Sequence, residues 1–69
     1  MAELHTKIKE YRAKFHKSQY ELAELVDVRR ETIVRLERGQ YNPSLKLAMD
    51  IAKVFQVTGE DVFEFVEDQ

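Results

Sequence analysis

The chain has 69 residues, of which 43% are hydrophobic and 35% charged, and a formal net charge of −2, as expected for one small globular domain over residues 1–69. The absence of cysteine excludes disulfides and thiolate zinc sites. No apolar run approaches the roughly 20 residues that span a bilayer, and no apolar signal core follows the N-terminus, so we expect a cytoplasmic protein rather than a secreted mini-protein or a membrane anchor.

The first helical period lies near the N-terminus. Apolar side chains recur at helical spacing, at Leu4, Ile8, Tyr11 and Phe15. Thr6 is a residue type that caps helix N-termini. We therefore predict a first helix that begins after Thr6 and carries Leu4 on its apolar stripe.

Two short helices are predicted next, over residues 19–26 and 30–38. Ser18 followed by Glu21 has the spacing of a capping box, which marks the start of the first of them. Gly39 follows the second, where a left-handed residue commonly ends a helix. The predicted inward residues are Leu22, Ala23, Leu25 and Val26 on the first, and Ile33 and Leu36 on the second.

Two more helices and a tail follow. Ser44 is predicted to cap a fourth helix, whose buried stripe is Leu45, Ala48, Ile51, Ala52 and Phe55. Thr58 and Asp61 have capping-box spacing, which predicts a short fifth helix that ends near Phe63. Apolar and acidic residues alternate in the tail, residues 64–69, as in a short strand. The predicted fold class is all-α, with five helices.

The second and third helices have the spacing of a helix-turn-helix. Ala23 supplies the small residue that a close helix crossing needs. Asp27 tolerates the positive φ that the turn requires, although less well than glycine. On spacing alone, an ordinary helical hairpin stays an alternative.

The outward face of the third helix favours nucleic acid. With Ile33 and Leu36 inward, this face presents Glu31, Val34, Arg35 and Arg38, and Arg30 stands at its start. Arginine can bind guanine with two hydrogen bonds, glutamate can accept from cytosine, and valine can pack on a thymine methyl. Residues 28–40 carry four arginines against two glutamates, whereas five acidic residues fall in the last ten. The alternative is a solvated charged face.

The sequence resembles the phage-repressor-like (XRE or Cro-type) helix-turn-helix regulators, in particular the small stand-alone bacterial and archaeal members. The resemblance extends from about Ile8 to Phe63. It is carried by the run Ser18-Gln19-Tyr20-Glu21-Leu22-Ala23-Glu24-Leu25-Val26, the residues Val28, Arg30, Thr32, Ile33, Leu36, Glu37 and Gly39, the run Tyr41-Asn42-Pro43-Ser44-Leu45, and Leu47, Ala48, Ile51 and Ala52. The combination is specific to the family, whereas the short Ser-Gln-x-x-Leu-Ala pattern alone is not.

The resemblance implies a role for each matching position. It implies that Arg30, Glu31 and Arg35 read base edges and that Thr32 beside them contacts a base or a phosphate; Val34 joins the predicted base-reading set from its place on the outward face. It also implies that Gln19, Arg38, Gln40 and the backbone amides near Gly39 contact the DNA backbone, where Arg29, at a position that departs from the family pattern, could reach a further phosphate. Arg12 and Glu37 match a pair that forms an internal salt bridge. The sequence departs from the family pattern at His16-Lys17, at Asp27 and at Arg29, which replaces the usual serine or threonine cap.

The apolar tail predicts a homodimer. So small a domain cannot bury every apolar group of its tail, so we expect Phe63, Phe65 and Val66 to contact a second copy through a short strand pair. Two reading helices would then lie about 34 Å apart and select a palindromic operator. The predicted function is that of a DNA-binding transcriptional regulator, more specifically a repressor that binds double-stranded DNA.

Other functions have weaker support. His5 and His16 lack acidic or thiol companions at ligand spacing, so we expect no metal site. Ser18 has no suitable histidine and acid partners for catalysis, and no phosphate-binding glycine loop occurs, so we expect neither an enzyme nor a cofactor or small-molecule ligand. The remaining alternative is a protein-binding module of the same fold, antitoxin-like or coactivator-like, which the acidic C-terminus supports.

Overall fold

The computed structural model describes the backbone of residues 2–67 and the side chains of residues 4–64. Within this part of the chain lie five helices and one two-stranded antiparallel sheet. In chain order they are β1 (Ala2–Thr6), α1 (Ile8–Lys14), α2 (Gln19–Leu25), α3 (Arg30–Glu37), α4 (Leu45–Val54), α5 (Gly59–Val62) and β2 (Phe63–Glu67). The five predicted helices are confirmed, and so is the C-terminal strand.

The N-terminal strand corrects the predicted start of the first helix. Thr6 ends β1 rather than capping α1, which begins after Lys7 without a side-chain cap. Leu4 is buried, but it lies in β1 and not on the helical stripe. The spacing of four residues between Leu4 and Ile8 fits a helical stripe, but it also fits a strand that precedes the helix. The strand forms because β2, at the other end of the chain, pairs with it.

The sheet also changes the expected partner of the C-terminal strand. β2 pairs with β1 of the same chain, with Thr6 opposite Phe63 and Leu4 opposite Phe65. The Lys7 amide donates to the Val62 carbonyl at 2.8 Å. Lys7 lies between β1 and α1, and Val62 ends α5 just before β2, so this bond ties the sheet to the two adjoining helices. One edge of β2 therefore pairs within its own chain, whereas the predicted strand pair was between two copies.

The predicted caps are confirmed at three helix starts. The Ser18 hydroxyl accepts from the Glu21 amide, and the Ser18 amide donates to the Glu21 carboxylate at 3.0 Å. This second bond lowers the pKa of the Glu21 carboxyl. Thr58 and Asp61 form the same arrangement on α5, and it lowers the pKa of Asp61. The Ser44 hydroxyl caps α4 alone.

The core draws on every helix. Its largest side chains with less than 2% exposure are Ile8, Leu22, Ile33, Leu36, Ile51, Phe55 and Val62. Phe55 stacks on Tyr11 with ring centroids 5.5 Å apart and packs against Phe15 at 5.7 Å. Burying a side chain of this size stabilises the fold by about 1.5–3 kcal/mol. The core therefore holds the short helices α2 and α3 in place.

Two leucines assigned to the core are exposed instead. Leu25 is 57% exposed and Leu45 is 77% exposed, whereas Leu47 is buried. At about 100° per residue, each exposed leucine lies roughly a quarter-turn from the centre of the buried face of its helix. The apolar residues of each of these short helices spread over more of its surface than the neighbouring helices cover. The sequence pattern therefore does not show which edge of the apolar stripe is buried.

None of the helices described between residues 2 and 67 is long and apolar enough to cross a bilayer.

Candidate nucleic-acid interface

Helices α2 and α3 form a helix-turn-helix. The turn between them contains Asp27 at φ 58°, the positive value predicted for that position. The Val28 amide donates to the Ala23 carbonyl at 3.0 Å, and the Val28 side chain is half-buried against the core. Ala23 is 2% exposed, as a small residue at a close helix crossing should be. The turn is thus fixed by both hydrogen bonding and packing.

The outer face of α3 carries the residues that the resemblance assigned to base reading. Ile33 and Leu36 are fully buried and anchor the inner face of this helix. Exposed side chains at Arg30, Glu31 and Arg35 stand outside, with Val34 and Thr32 half-buried beside them. A rigidly anchored helix therefore presents donors, an acceptor and apolar atoms to solvent.

A cleft of about 930 Å³ beside α3 adds residues that the sequence reading missed. Its lining comes from α2, the turn, α3 and the segment after α3, and comprises Tyr20, Ala23, Glu24, Val28, Arg29, Arg30, Glu31, Thr32, Arg35 and Tyr41. Tyr20 is 60% exposed and Tyr41 is 41% exposed. The sequence signal for Tyr20 was a large aromatic residue off the buried face of a short helix.

The turn after α3 depends on Gly39. Its φ is 71°, and a Cβ atom at this position would lie 2.5 Å from the Leu4 carbonyl oxygen, so glycine is needed for both conformation and space. The Gly39 and Gln40 amides donate to the carbonyls of Leu36 and Arg35, at 3.0 and 2.9 Å. These two amides are thus engaged within the chain, which leaves the exposed side chains of Arg38 and Gln40 to contact a ligand.

A polar network joins the first three helices under this face. Arg12 donates from Nε to Glu37 at 2.6 Å and from Nη2 to the other carboxylate oxygen at 3.0 Å. The two side chains are 15% and 10% exposed. Gln19 donates to Glu37 at 3.2 Å, and its carbonyl accepts from Arg30 at 3.2 Å. Gln19, expected at a phosphate, is thus also engaged inside the protein.

The remaining predicted site residues lie at the edges of the structure. Arg29 is the N-cap residue of α3, makes no side-chain cap bond and is exposed. Phe63 is half-buried against the core of its own chain. The side chains of Phe65 and Val66 lie outside the described residues. Among the described side chains, residues 4–64, no three His, Cys, Asp or Glu cluster as a metal site would require.

Comparison with known proteins identifies the family. Residues 8–62 match the family model described as helix-turn-helix. A protein of Archaeoglobus fulgidus named as an uncharacterized HTH-type transcriptional regulator is 61% identical over 66 residues, which cover 96% of this chain and 93% of the relative. YgzD of Bacillus subtilis, with the same description, is 48% identical over 62 residues, covering 90% of this chain and 94% of YgzD.

Solved structures share the fold. The transcriptional regulator VanUg superposes with a TM-score of 0.80 over 97% of this chain and 89% of its own, at 20% identity. The clp gene regulator ClgR of Corynebacterium glutamicum gives 0.72 at 26% identity, over 78% of this chain and 57% of that chain. This chain belongs to the helix-turn-helix family of transcriptional regulators.

Proposed function

We propose that this chain is a cytoplasmic repressor that binds a palindromic operator in double-stranded DNA as a homodimer. The observation that carries the proposal is the outer face of α3, where Arg30, Glu31 and Arg35 are exposed around half-buried Val34. A helix of this width fits the major groove, where arginine, glutamate and valine have matching partners on guanine, cytosine and thymine. Thr32, half-buried beside them, completes the proposed reading set.

Phosphate contacts would orient the reading helix. Arg29 precedes α3, and Arg38 and Gln40 follow it in the turn that Gly39 shapes, so cations stand at both ends of the helix. Gln19 lies at the start of α2, close to Arg30. Contacts to the backbone fix register on the duplex and carry no sequence information themselves.

Dimer formation is proposed through Phe63, Phe65 and Val66. Within residues 2–67 each strand has a single partner, so the sheet keeps an outer edge that a second copy could extend. A dimer would double the contact area and place two reading helices about one turn of DNA apart, roughly 34 Å. A regulator of this kind represses most simply by occluding a promoter.

The test is selection of binding sites from random duplex DNA, with the number of bound chains measured by sizing of the complex. We expect an enriched inverted repeat bound by two chains. An enriched single half-site bound by one chain would contradict the dimer and the palindrome. Enrichment of nothing at low salt would contradict sequence-specific DNA binding altogether.

A protein-binding module is the second candidate. Leu45 and Met49 are 77% and 51% exposed, four residues apart on α4, and so form an apolar strip at the surface. Salt dependence distinguishes the two functions, because the logarithm of DNA affinity falls against the logarithm of salt concentration with a slope of about −0.9 per phosphate neutralised. An apolar protein interface would keep its affinity over the same range of salt.

A further inference from the structure

We propose that the outer edge of β2 pairs with β2 of a second copy, antiparallel and with Phe65 on the two-fold axis. The two copies then share one continuous sheet, in the order β1-β2-β2′-β1′, where the prime marks the second copy. This inference rests on the proposed homodimer and adds the edge, the partner strand and the register. The carrying observation is the direction in which the backbone groups of the sheet point.

The hydrogen bonds between β1 and β2 determine which backbone groups face outward. The Lys7 amide donates to the Val62 carbonyl, and these two residues continue the register of the sheet. Along an antiparallel ladder, pairs that exchange hydrogen bonds alternate with pairs that do not. Leu4 and Phe65 lie opposite each other, three pairs further along. Their amides and carbonyls therefore point away from the partner strand, toward the two outer edges.

The outer edge of β1 is covered by the turn after α3. A Cβ atom on Gly39 would lie 2.5 Å from the Leu4 carbonyl oxygen, so the outward carbonyl of β1 faces this turn at close range. Leu4 is 8% exposed. The outer edge of β2, by contrast, has no strand beside it within residues 2–67. Such an edge offers unpaired amides and carbonyls to another chain. A second copy therefore has its place at β2.

Symmetry limits how two copies of β2 can pair. A two-fold axis brings each position opposite itself or opposite one an even number of residues away, because opposite positions share a face of the sheet. With Phe65 on the axis, β2 (Phe63–Glu67) pairs along its full length. The outward groups of Phe65 then exchange two hydrogen bonds with their counterparts. The Phe63 amide is engaged by the Gly59 carbonyl, so Phe63 contributes its carbonyl alone.

Charge selects the same register. With Phe65 on the axis, Glu64 lies opposite Val66 of the second copy, an apolar position. Moving the axis to Glu64 would set this glutamate opposite itself. Moving the axis to Val66 would set Glu64 opposite position 68, an aspartate. Like charges directly opposite each other destabilise a sheet. The register centred on Phe65 avoids both pairs.

The test uses single cysteines, since the chain has none of its own. In the proposed register, the Cα atoms of positions 64 and 66 in different copies lie about 4.5 Å apart, within reach of a disulfide. Two copies of one position lie about 8 Å apart, beyond that reach. Mild oxidation of Glu64→Cys mixed with Val66→Cys should shift the mass from one chain, 8.2 kDa, to two. Neither variant should cross-link alone.

A charge variant tests the register without oxidation. Val66→Lys should tighten the homodimer by about 2- to 30-fold, because each lysine lies opposite Glu64 of the other copy. Sizing over a range of concentrations measures the change. Gln56→Lys adds the same charge in the exposed turn beyond α4 and should leave association unchanged. Weaker association of a folded Val66→Lys would contradict the register, since the lysine would then face itself or an apolar position.

Two cross-linking results would overturn the proposal, and both are sought on the free protein and on the selected operator. A disulfide formed by Glu64→Cys or Val66→Cys alone would show a different register. No disulfide in the mixture, together with one formed by Met49→Cys, would place the contact on α4 and leave the proposed function intact. The expected mixed disulfide in a protein that selects no DNA would instead contradict the proposed function alone.

Discussion

The chemistry of the proposed interface is decided by single side chains on α3. All four basic residues between 28 and 40 are arginines, whose planar guanidinium donates in the fixed geometry that guanine accepts. One glutamate of this segment, Glu37, is drawn inward by Arg12 and Gln19. Its charge is thereby paired inside the domain, which leaves Glu31 as the exposed acid of the outer face.

Arg35→Ala should act on one base pair. Arg35 is exposed on the outer face of α3, and loss of a base contact costs about 1–3 kcal/mol of specific binding. The preference at that base pair should relax, while binding to unrelated DNA changes little. Titration of the operator and its single-base changes measures both quantities. Operator binding as tight as that of the wild type would show that α3 is misplaced in the groove.

Arg38→Ala should weaken binding to every sequence alike. Arg38 ends α3 and is exposed, which suits a phosphate contact rather than a base contact. The salt slope should flatten by about one, because one fewer phosphate is neutralised. Lys53→Ala is the control, since this exposed lysine lies on α4 outside the proposed interface. A change of preference at one base pair would instead assign Arg38 to base reading.

At the scale of elements, helix starts could be predicted because their signals are local. Ser18 with Glu21 and Thr58 with Asp61 satisfy backbone amides three residues away, so the sequence alone contains both partners. β1 could not be predicted in this way, because its partner strand lies at the other end of the chain. The cleft residue Tyr41 was missed for a related reason, since only the packed helices bring it beside α2.

Glu37→Ala should destabilise the contact between α1 and α3. Arg12, whose side chain is 15% exposed beside Glu37, would lose its carboxylate partner, which costs about 1–3 kcal/mol. For a domain of this size, each kcal/mol lowers the thermal midpoint by about 4–8 °C. Glu31→Ala removes an exposed glutamate from the same helix and serves as control. Unchanged thermal unfolding of Glu37→Ala would contradict a structural role for the pair.

Arg29→Ser should stabilise the domain and weaken DNA binding together. Arg29 holds the extended N-cap conformation, φ −76° and ψ 152°, without a side-chain cap bond. Serine there can accept from an amide of the first turn, which is worth about 1 kcal/mol. The proposed phosphate contact would be lost. Thermal unfolding and titration of unrelated DNA test the two halves; a stabilised variant with full DNA affinity would show that Arg29 does not touch phosphate.

At the scale of the whole molecule, charge and shape explain how a chain of net charge −2 can bind DNA. The arginines cluster in residues 28–40, and five of the acids fall in the last ten residues, so the average conceals two opposite regions.

The family's helix-turn-helix could be predicted from the sequence because its apolar anchors and caps lie within 55 residues, 8–62. The geometry of a dimer could not, because it depends on surfaces that meet only between copies.

Val66→Asp should separate the proposed dimer into single chains. A charge placed in an apolar contact between copies must be desolvated, which opposes association. At a concentration at which two wild-type chains bind the operator, we expect sizing to show one Val66→Asp chain bound, with an affinity for the whole operator reduced to that of a half-site. Gln56→Asp adds the same charge in the exposed turn beyond α4 and should keep two chains on the operator. Two chains bound by a folded Val66→Asp would place the dimer contact elsewhere, and the exposed strip of Leu45 and Met49 would be the next surface to test.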